Sequence, residues 1–262
     1  MKFSKWHALG NEYLLIDNRD FNPIVNSLFV QRVCNRYTGV GSDGVLEIHN
    51  IEGNNAEIII WNPDGSRAEL SGNGVRIAAR WLAREIGIQK VIISTGGRSV
   101  PSFILDGLLV KQDMGRINVG EIELIEVEED RVEFIPVEIG NPHAVLVHDP
   151  DEREVARLGP LIEQHQRFPD RTNVQLIRVD TTHALTVGVW ERGVGLTASS
   201  GTSACAAAAA AASQGWVKSP IAVSLPGGVL EVLLEGNQVQ LKGPAQEICN
   251  GEISAELLAE IS

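Results

Sequence analysis

The chain of 262 residues carries an internal repeat at about half of its length. Four segments keep the same order and nearly the same offset in both halves: 10–11 aligns with 140–141, 58–62 with 187–191, 71–73 with 200–202, and 91–94 with 221–224. Few aligned residues are identical, so the shared order carries more weight than any single match. Repetition at a fixed spacing is typical of duplicated units. The repeat therefore predicts two domains of the same fold.

The two halves also share an order of predicted elements. In each, a strand that contains tryptophan leads into a polar loop, and a Ser-Gly turn then begins a helix rich in small residues. Runs of β-branched residues, which predict strands, follow the helix. The stretch 204–212 consists of alanine and one cysteine and has no charged face, which predicts a helix buried among strands. We therefore predict an α+β fold of two similar domains, with a boundary near residues 114–120.

Composition disfavours several classes of partner. The formal net charge is −12, from 34 acidic and 22 basic residues, and no basic cluster stands out. This disfavours nucleic acids and anionic membrane surfaces, and no stretch approaches the roughly 18 apolar residues of a membrane span. Three widely spaced cysteines indicate neither a disulfide framework nor a zinc site and suit the reducing cytoplasm, where we expect this protein. We expect Cys34, Cys205 and Cys249 to lie in the core.

Two stretches have the pattern of a loop that turns into a helix, AELSGNGVR at 68–76 and ASSGTSAC at 198–205. A helix N-terminus exposes unpaired N–H groups and a partial positive charge, which bind carboxylates or phosphates. Ser71 and Ser200 stand at the heads of these turns. In two pseudo-symmetric domains, the two serines would approach one bound molecule from opposite sides. Such opposed groups suit inversion of a stereocentre, in which one face loses a proton and the other gains one.

Polar residues around these turns are suited to a small amino-acid ligand. Arg192 offers a planar fork for a second carboxylate, and Glu191 could accept an ammonium group. Each residue also has a plain structural interpretation. Loop asparagines commonly form turns, Glu191 and Arg192 could be a solvated pair, and His143 could be packed in the core. Four asparagines at the ends of strand-like segments complete the set: Asn11, Asn62, Asn141 and Asn173.

Taken together, the motifs resemble those of the diaminopimelate epimerase family over nearly the whole chain. The resemblance rests on HALGN at 7–11, GVGSDG at 39–44, NPDGS at 62–66, SGNG at 71–74, GNPHAV at 140–145, FPDRTNV at 168–174, WERGVG at 190–195, SGT at 200–202 and PGG at 226–228. It implies two pseudo-symmetric domains, each a mixed, barrel-like sheet around a central helix, with substrate in the cleft between them. It also implies conversion of LL- to meso-diaminopimelate on the route to lysine and peptidoglycan, without metal or pyridoxal phosphate, in a homodimer.

The resemblance also implies a role for each candidate residue. Gly72, Asn73, Gly201 and Thr202 would bind the reacting α-carboxylate at the two helix termini. Asn62, Asn141, Asn173 and Arg192 would hold the distal amino acid of the substrate. Asn11 and Glu191 would complete the site, and His143 and Glu191 would lie beside the catalytic pair. We place the first domain at residues 1–116, completed by 250–262, and the second at 117–249.

This chain departs from the family pattern at the two acid–base positions. The family uses two cysteines as acid and base, and this chain has Ser71 and Ser200 in their places. A thiol has a pKa near 8.5, which a helix N-terminus can lower, whereas a serine hydroxyl is almost never ionised at pH 7 without a positioned base. Smaller departures are Leu196, Ser199 and Ser203. We therefore expect two-base proton transfer to be impaired in this chain.

Three explanations of the serine pair stay open. A serine-for-cysteine exchange made on an active epimerase would trap the substrate. A natural member could use the hydroxyls for another reaction, such as dehydration of a hydroxy amino acid or a different racemisation. A non-catalytic homologue could keep the pocket only to bind an amino acid. Arg192 and the four asparagines favour diaminopimelate as the ligand in the first and third cases.

Overall fold

The computed structural model describes residues 1–18, 25–128 and 130–260. The chain divides into two compact units, of which the first is Met1–Gln112 with Gly243–Ser262 and the second is Asp113–Lys242. Both units are α+β and consist mainly of strands. None of the helices in the described ranges is long and apolar enough to span a lipid bilayer.

The first unit begins with β1 (Lys2–Ala8), β2 (Asn11–Asp17), α1 (Ser27–Cys34), β3 (Val45–Glu52), β4 (Asn55–Trp61), β5 (Arg67–Ala68), α2 (Gly72–Ile86), β6 (Lys90–Thr95), β7 (Arg98–Ile104) and β8 (Leu109–Arg116). The second contains β9 (Asn118–Val119), β10 (Glu123–Val127), β11 (Asp130–Glu138), β12 (Pro142–Val147), α3 (Glu152–Glu163), β13 (Asn173–Thr181), β14 (Ala184–Glu191), β15 (Gly195–Thr197), α4 (Gly201–Ser213), β16 (Ile221–Leu225), β17 (Gly228–Glu235) and β18 (Gln238–Pro244). The chain then returns to the first unit with β19 (Gln246–Glu252) and α5 (Ala255–Ala259).

The two units have the same strand topology. In the first, β2 pairs antiparallel with β1 and parallel with β3, and β4 pairs antiparallel with β3 and parallel with β6, after which β7 and β8 continue the sheet. In the second, β11 to β14 and β16 to β18 repeat this order and these directions. Ala56 pairs with Ile93, and Leu185 pairs with Val223. The partners in the two units are thus related by the same offset along the chain as the segments of the sequence repeat.

A central helix lies against several strands in each unit. Helix α2 packs against β1, β2, β4, β6 and β7, and α4 packs against β9, β11 to β14, β16 and β17. In α4 every residue from Gly201 to Ala211 is buried, so the predicted buried helix is confirmed. Its alanines let strand backbones approach closely, and their burial costs almost no side-chain entropy. The expected fold, a mixed sheet around a central helix in each half, is confirmed.

The cysteines follow the prediction in two cases and contradict it in the third. Cys34 and Cys205 are buried. Cys249 is exposed, so its predicted place in the core is wrong. It lies on β19, which is rich in polar residues and exposes most of its side chains. Residue type alone predicts a buried cysteine, but the exposure of Cys249 follows from the exposed strand that carries it.

Gly159 shows how tightly α3 packs on β14. A Cβ atom built at this glycine would lie 2.6 Å from Cβ of Trp190. In a helix interior, alanine is ordinarily more favourable than glycine by about 0.5–1 kcal/mol, but forcing an extra carbon into a packed contact typically costs about 1–3 kcal/mol. The clash should therefore outweigh the gain in helix propensity.

We expect Gly159→Ala to lower the free energy of unfolding by about 1–2 kcal/mol, the difference between these two effects. Urea-induced unfolding, followed by tryptophan fluorescence, measures the change. A variant as stable as the parent would mean that the Trp190 ring moves aside at little cost.

Candidate active site

Ser71 begins the central helix of the first unit. It has extended backbone angles, φ −135° and ψ 114°, and its Oγ accepts a hydrogen bond of 3.0 Å from the amide of Gly74. Its carbonyl oxygen accepts the amide of Val75 at 2.9 Å. The amides of Gly72 and Asn73 come before the first intrahelical bond, so no carbonyl of their own helix can pair them. These two amides therefore depend on partners other than the carbonyl groups of their own helix.

Ser200 begins the central helix of the second unit in the same conformation. Its backbone angles are φ −140° and ψ 123°, and its Oγ accepts the amide of Ser203 at 3.4 Å. Its carbonyl accepts the amide of Ala204 at 3.0 Å. Gly201 and Thr202 occupy the positions that Gly72 and Asn73 hold in the first unit. Each predicted serine is thus an N-cap, the role that serine fills best in helices.

Tyr13 adds a contact that the sequence analysis missed. Its hydroxyl donates a hydrogen bond of 3.1 Å to Oγ of Ser71, and its ring is buried.

Tyr13 and His143 have matching places in their units, as the pairing of the next residue in each strand shows. Leu14 pairs with Val45 in the first unit, and Ala144 pairs with Val174 in the second. Tyr13 therefore occupies the place that His143 holds in the second unit. The signal was present in the sequence, since the offset that aligns Gly-Asn with Gly-Asn also aligns, two positions later, this tyrosine with that histidine.

Asn11 and Asn73 are brought together by side-chain hydrogen bonds. Nδ2 of Asn73 donates to Oδ1 of Asn11 at 3.2 Å, and Nδ2 of Asn11 donates to Oδ2 of Asp43 at 3.2 Å. The fully buried Arg76 donates to the side-chain oxygen of Asn73 and, at 3.3 Å, to Oε1 of Gln112. Because every member is hydrogen-bonded to the next, the first turn of α2 is held rigidly.

Asn62 lies at the end of β4 and belongs to a separate turn. Its backbone amide donates to the carbonyl of Ser66 at 2.8 Å, and its Nδ2 donates to the Ser66 hydroxyl at 2.9 Å. These contacts are those of a turn-forming asparagine. The structural interpretation therefore accounts for its position, and its predicted role in binding stays a prediction.

Four predicted residues of the second unit form one connected group. A ring nitrogen of His143 lies 3.0 Å from Oδ1 of Asn141, and His143 pairs in register with Asn173 on the neighbouring strand. Nδ2 of Asn173 donates to the carbonyl of Pro142 at 3.0 Å, and its Oδ1 accepts the amide of Arg192 at 3.1 Å. Asn173 therefore links the predicted histidine to the predicted arginine.

Burial shifts the pKa of both His143 and Glu191. Loss of solvent around the His143 ring lowers its pKa from 6.5 to about 3; the Gln175 side chain opposes this shift, and the positive charge of Arg192 adds to it. The ring is therefore neutral at pH 7. Burial raises the pKa of Glu191 above its ordinary value. A positively charged ligand beside this carboxyl group would favour its ionised form.

A buried carboxylate holds the turn that carries Glu191 and Arg192. Oε2 of Glu163 accepts the indole N–H of Trp190 at 2.7 Å, and Oε1 accepts the amide of Gly193 at 2.9 Å. The first unit has a similar contact, in which Glu47 accepts the indole N–H of Trp61 at 2.9 Å. The two tryptophans match in the sequence repeat, but the two carboxylates do not, since one lies on α3 and the other on β3. Sequence comparison of the halves could therefore not find this pair.

We expect Glu163→Gln to destabilise the protein by about 1–3 kcal/mol. Both carboxylate oxygens accept N–H donors, and the amide nitrogen of glutamine cannot accept one of them. Urea unfolding measures the loss, with Glu152→Gln at an exposed position of the same helix as the control. Equal stability of the two variants would contradict a clamping role for Glu163.

We expect His143→Gln to make stability less dependent on pH between about 6.5 and 3. As the pH falls through this window, the unfolded chain binds a proton at His143 and the folded chain does not, so this histidine destabilises the fold by up to about 1.4 kcal/mol per pH unit. The variant should lose less stability than the parent when urea unfolding is repeated at pH 7, 6, 5 and 4. His49→Gln, at an exposed position, is the control. Parallel curves for parent and variant would exclude a buried, neutral His143.

Comparison with known proteins identifies the family of this chain. Residues 3–120 and 135–248 match the family model described as diaminopimelate epimerase. Diaminopimelate epimerase 2 of Nostoc sp. is 36% identical over 280 residues that cover 99% of this chain and 98% of that protein. Diaminopimelate epimerase of Stutzerimonas stutzeri is 37% identical and covers 97% and 99% of the two chains. A hydroxyproline epimerase from Agrobacterium vitis, at 16% identity, has the same fold, with a TM-score of 0.72 over 97% of this chain and 90% of that chain. This chain therefore belongs to the diaminopimelate epimerase family and is an isomerase of the amino-acid epimerase class.

Proposed function

We propose that this protein binds diaminopimelate and inverts one of its α-carbons, with Ser71 and Ser200 in the positions of the two proton-transfer groups. The observation that carries the proposal is the repeated helix N-terminus. Each unit begins its central helix with a serine N-cap followed by first-turn amides that the helix itself cannot pair. Each unit thus has one helix terminus suited to a carboxylate and one serine hydroxyl at its head.

The first-turn amides suit the α-carboxylate of the substrate. Gly72 and Asn73 supply them in the first unit, and Gly201 and Thr202 supply them in the second. A helix N-terminus favours an anion through these N–H groups and through its dipole. The two glycines keep this approach free of side-chain atoms. The hydrogen bonds that fix Asn73 and the cap of Ser203 by Ser200 mean that little ordering is left to the moment of binding.

The distal amino acid of the substrate suits the turn after β14. The amide of Arg192 is fixed by Asn173, and one guanidinium nitrogen donates to the carbonyl of Asp170 at 3.2 Å. The remaining donors of the fork match a carboxylate. Burial raises the pKa of Glu191, and a substrate ammonium group beside it would favour the charged carboxylate. A ligand with a second ammonium group and a second carboxylate at its far end is therefore preferred to an amino acid that has only one such pair.

Serine makes the proton transfers slow. A hydroxyl gives up its proton far less readily than a thiol, and a helix N-terminus only partly offsets this difference. Positioned acid–base catalysis contributes roughly 10²–10⁴ in rate per group, and losses in a pair that acts as one unit are not additive. We therefore assign this protein the binding properties of a diaminopimelate epimerase with a much lower turnover.

Binding is tested by thermal unfolding with diaminopimelate stereoisomers. A ligand that binds only the native state stabilises it by about 2.7 kcal/mol at 100 times its Kd. We expect a rise in melting temperature with diaminopimelate, a smaller one with lysine, which lacks the second carboxylate, and a reduced one in Arg192→Gln. An unchanged melting temperature at millimolar diaminopimelate would overturn the substrate assignment.

Restoring the thiols tests the chemistry. We expect Ser71→Cys with Ser200→Cys to raise turnover by at least about 10² because thiolates are accessible near pH 7. The measurement is proton NMR of diaminopimelate in D₂O, which follows loss of the α-proton signal and the change of stereoisomer. Ser254→Cys, at the N-cap of α5, is the matched control. If the double variant stays as slow as the parent, the protein does not have this activity.

A further inference from the structure

The hydrogen bonds of Ser71 fix the direction of its own proton. Its Oγ accepts two donors, the amide of Gly74 at 3.0 Å and the hydroxyl of Tyr13 at 3.1 Å. A hydroxyl oxygen has two acceptor sites and one O–H donor. With both acceptor sites used, the Ser71 proton points away from Gly74 and Tyr13. The side chain is therefore arranged as a proton donor to a third group.

Packing holds the Tyr13 ring in place for this contact. The ring is buried and belongs to the hydrophobic core of the first unit. Gly44 makes room for it, since a Cβ atom built there would lie 2.9 Å from Cε1 of Tyr13 and would also clash with the carbonyl oxygen of Trp61. A ring confined in this way loses little freedom when its hydroxyl engages Ser71. The hydrogen bond is thus a fixed feature of the unit.

We propose that Tyr13 positions the hydroxyl of Ser71 and donates its own proton to Oγ when Ser71 gives up a proton. We call this transfer the relay. When Ser71 protonates the substrate α-carbon, the Oγ–H bond breaks and a C–H bond forms. Oγ then takes the Tyr13 proton, which leaves a phenolate. In the reverse direction, Oγ takes the α-proton while its own proton returns to the phenolate. This inference rests on the proposed function.

The relay places the negative charge on the better of two hydroxyl acids. Tyrosine ordinarily ionises near pH 10, and an aliphatic hydroxyl is far harder to ionise. Without Tyr13, donation by Ser71 would leave an alkoxide at the head of α2. With it, the charge moves to a phenolate, while the amide of Gly74 continues to bond Oγ. The tyrosine therefore compensates in part for the missing thiol.

The second unit is built differently at the matching place. His143 stands there, and its ring nitrogen lies 3.0 Å from Asn141. Burial keeps this ring neutral at pH 7. The two serines thus have different neighbours although their caps are alike. We assign the relay to the first unit, where the hydroxyl pair is in contact.

The first test compares Tyr13→Phe in two backgrounds by the same exchange of the α-proton in D₂O. With Ser71 present, the loss of the relay should lower the exchange rate by at least about tenfold, the lower part of the range for acid–base groups. In the protein with Ser71→Cys and Ser200→Cys, the rate should change little because a thiol needs no relay. Tyr37→Phe, which removes an exposed hydroxyl, is the matched control. Equal losses in both backgrounds would mean a purely structural role and would overturn the relay.

The second test follows the phenol itself. The chain has two tyrosines, so Tyr37→Phe leaves Tyr13 as the single phenol, whose ionisation is measured by ultraviolet difference absorption. The exchange rate should change with pH along this titration and should lose that dependence in Tyr13→Phe. An identical pH profile with and without the Tyr13 hydroxyl would overturn the proposal.

The outcomes separate this inference from the function on which it rests. If diaminopimelate does not stabilise the protein and the double cysteine variant stays inactive, the proposed function fails. If both succeed while exchange by the serine protein is absent or is unaffected by Tyr13→Phe, the function stands and the relay alone is overturned.

Discussion

The first turn of a helix cannot pair its own amide groups, and both central helices of this protein solve the problem with a serine. The two caps have nearly the same backbone angles and each satisfies one amide with its side chain and another with its carbonyl. Strands pack around each helix, so that its N-terminus is held by the core of its unit.

The same residue type has opposite consequences for stability and for chemistry. Serine is among the best N-caps, and removing such a cap costs about 0.5–2 kcal/mol. Cysteine has the more useful proton, since a thiolate is accessible near neutral pH. At positions 71 and 200 this chain therefore has residues that favour the helix over proton transfer. Such an opposition between stability and activity is common in enzymes. The Tyr13 hydroxyl contacts the serine of the first unit, Ser71.

Features that recur in sequence could be predicted, and features made by contact could not. The nearly constant offset between the halves predicted the shared topology, and the Ser-Gly turns predicted the two helix N-termini, because both depend on local pattern. The partners of Trp61 and Trp190 come from unrelated elements, so no alignment of the halves could show them. Tyr13 was visible as the counterpart of His143, but only the folded distance links it to Ser71. The exposure of Cys249 depends on its strand rather than on its residue type.

The way in which the first unit is completed has a consequence for synthesis. The second unit is one continuous stretch, whereas the first includes β19, which pairs with β1 from the other end of the chain. Arg80 of α2 donates to the carbonyl of Ala245 at 2.6 Å, and Arg84 pairs with Glu247 at 2.5 Å, so the return segment is tied to the central helix as well. Domains generally fold as they leave the ribosome. Here β1 is made long before its partner β19, and the nascent chain carries an incomplete sheet edge until β19 has been synthesised.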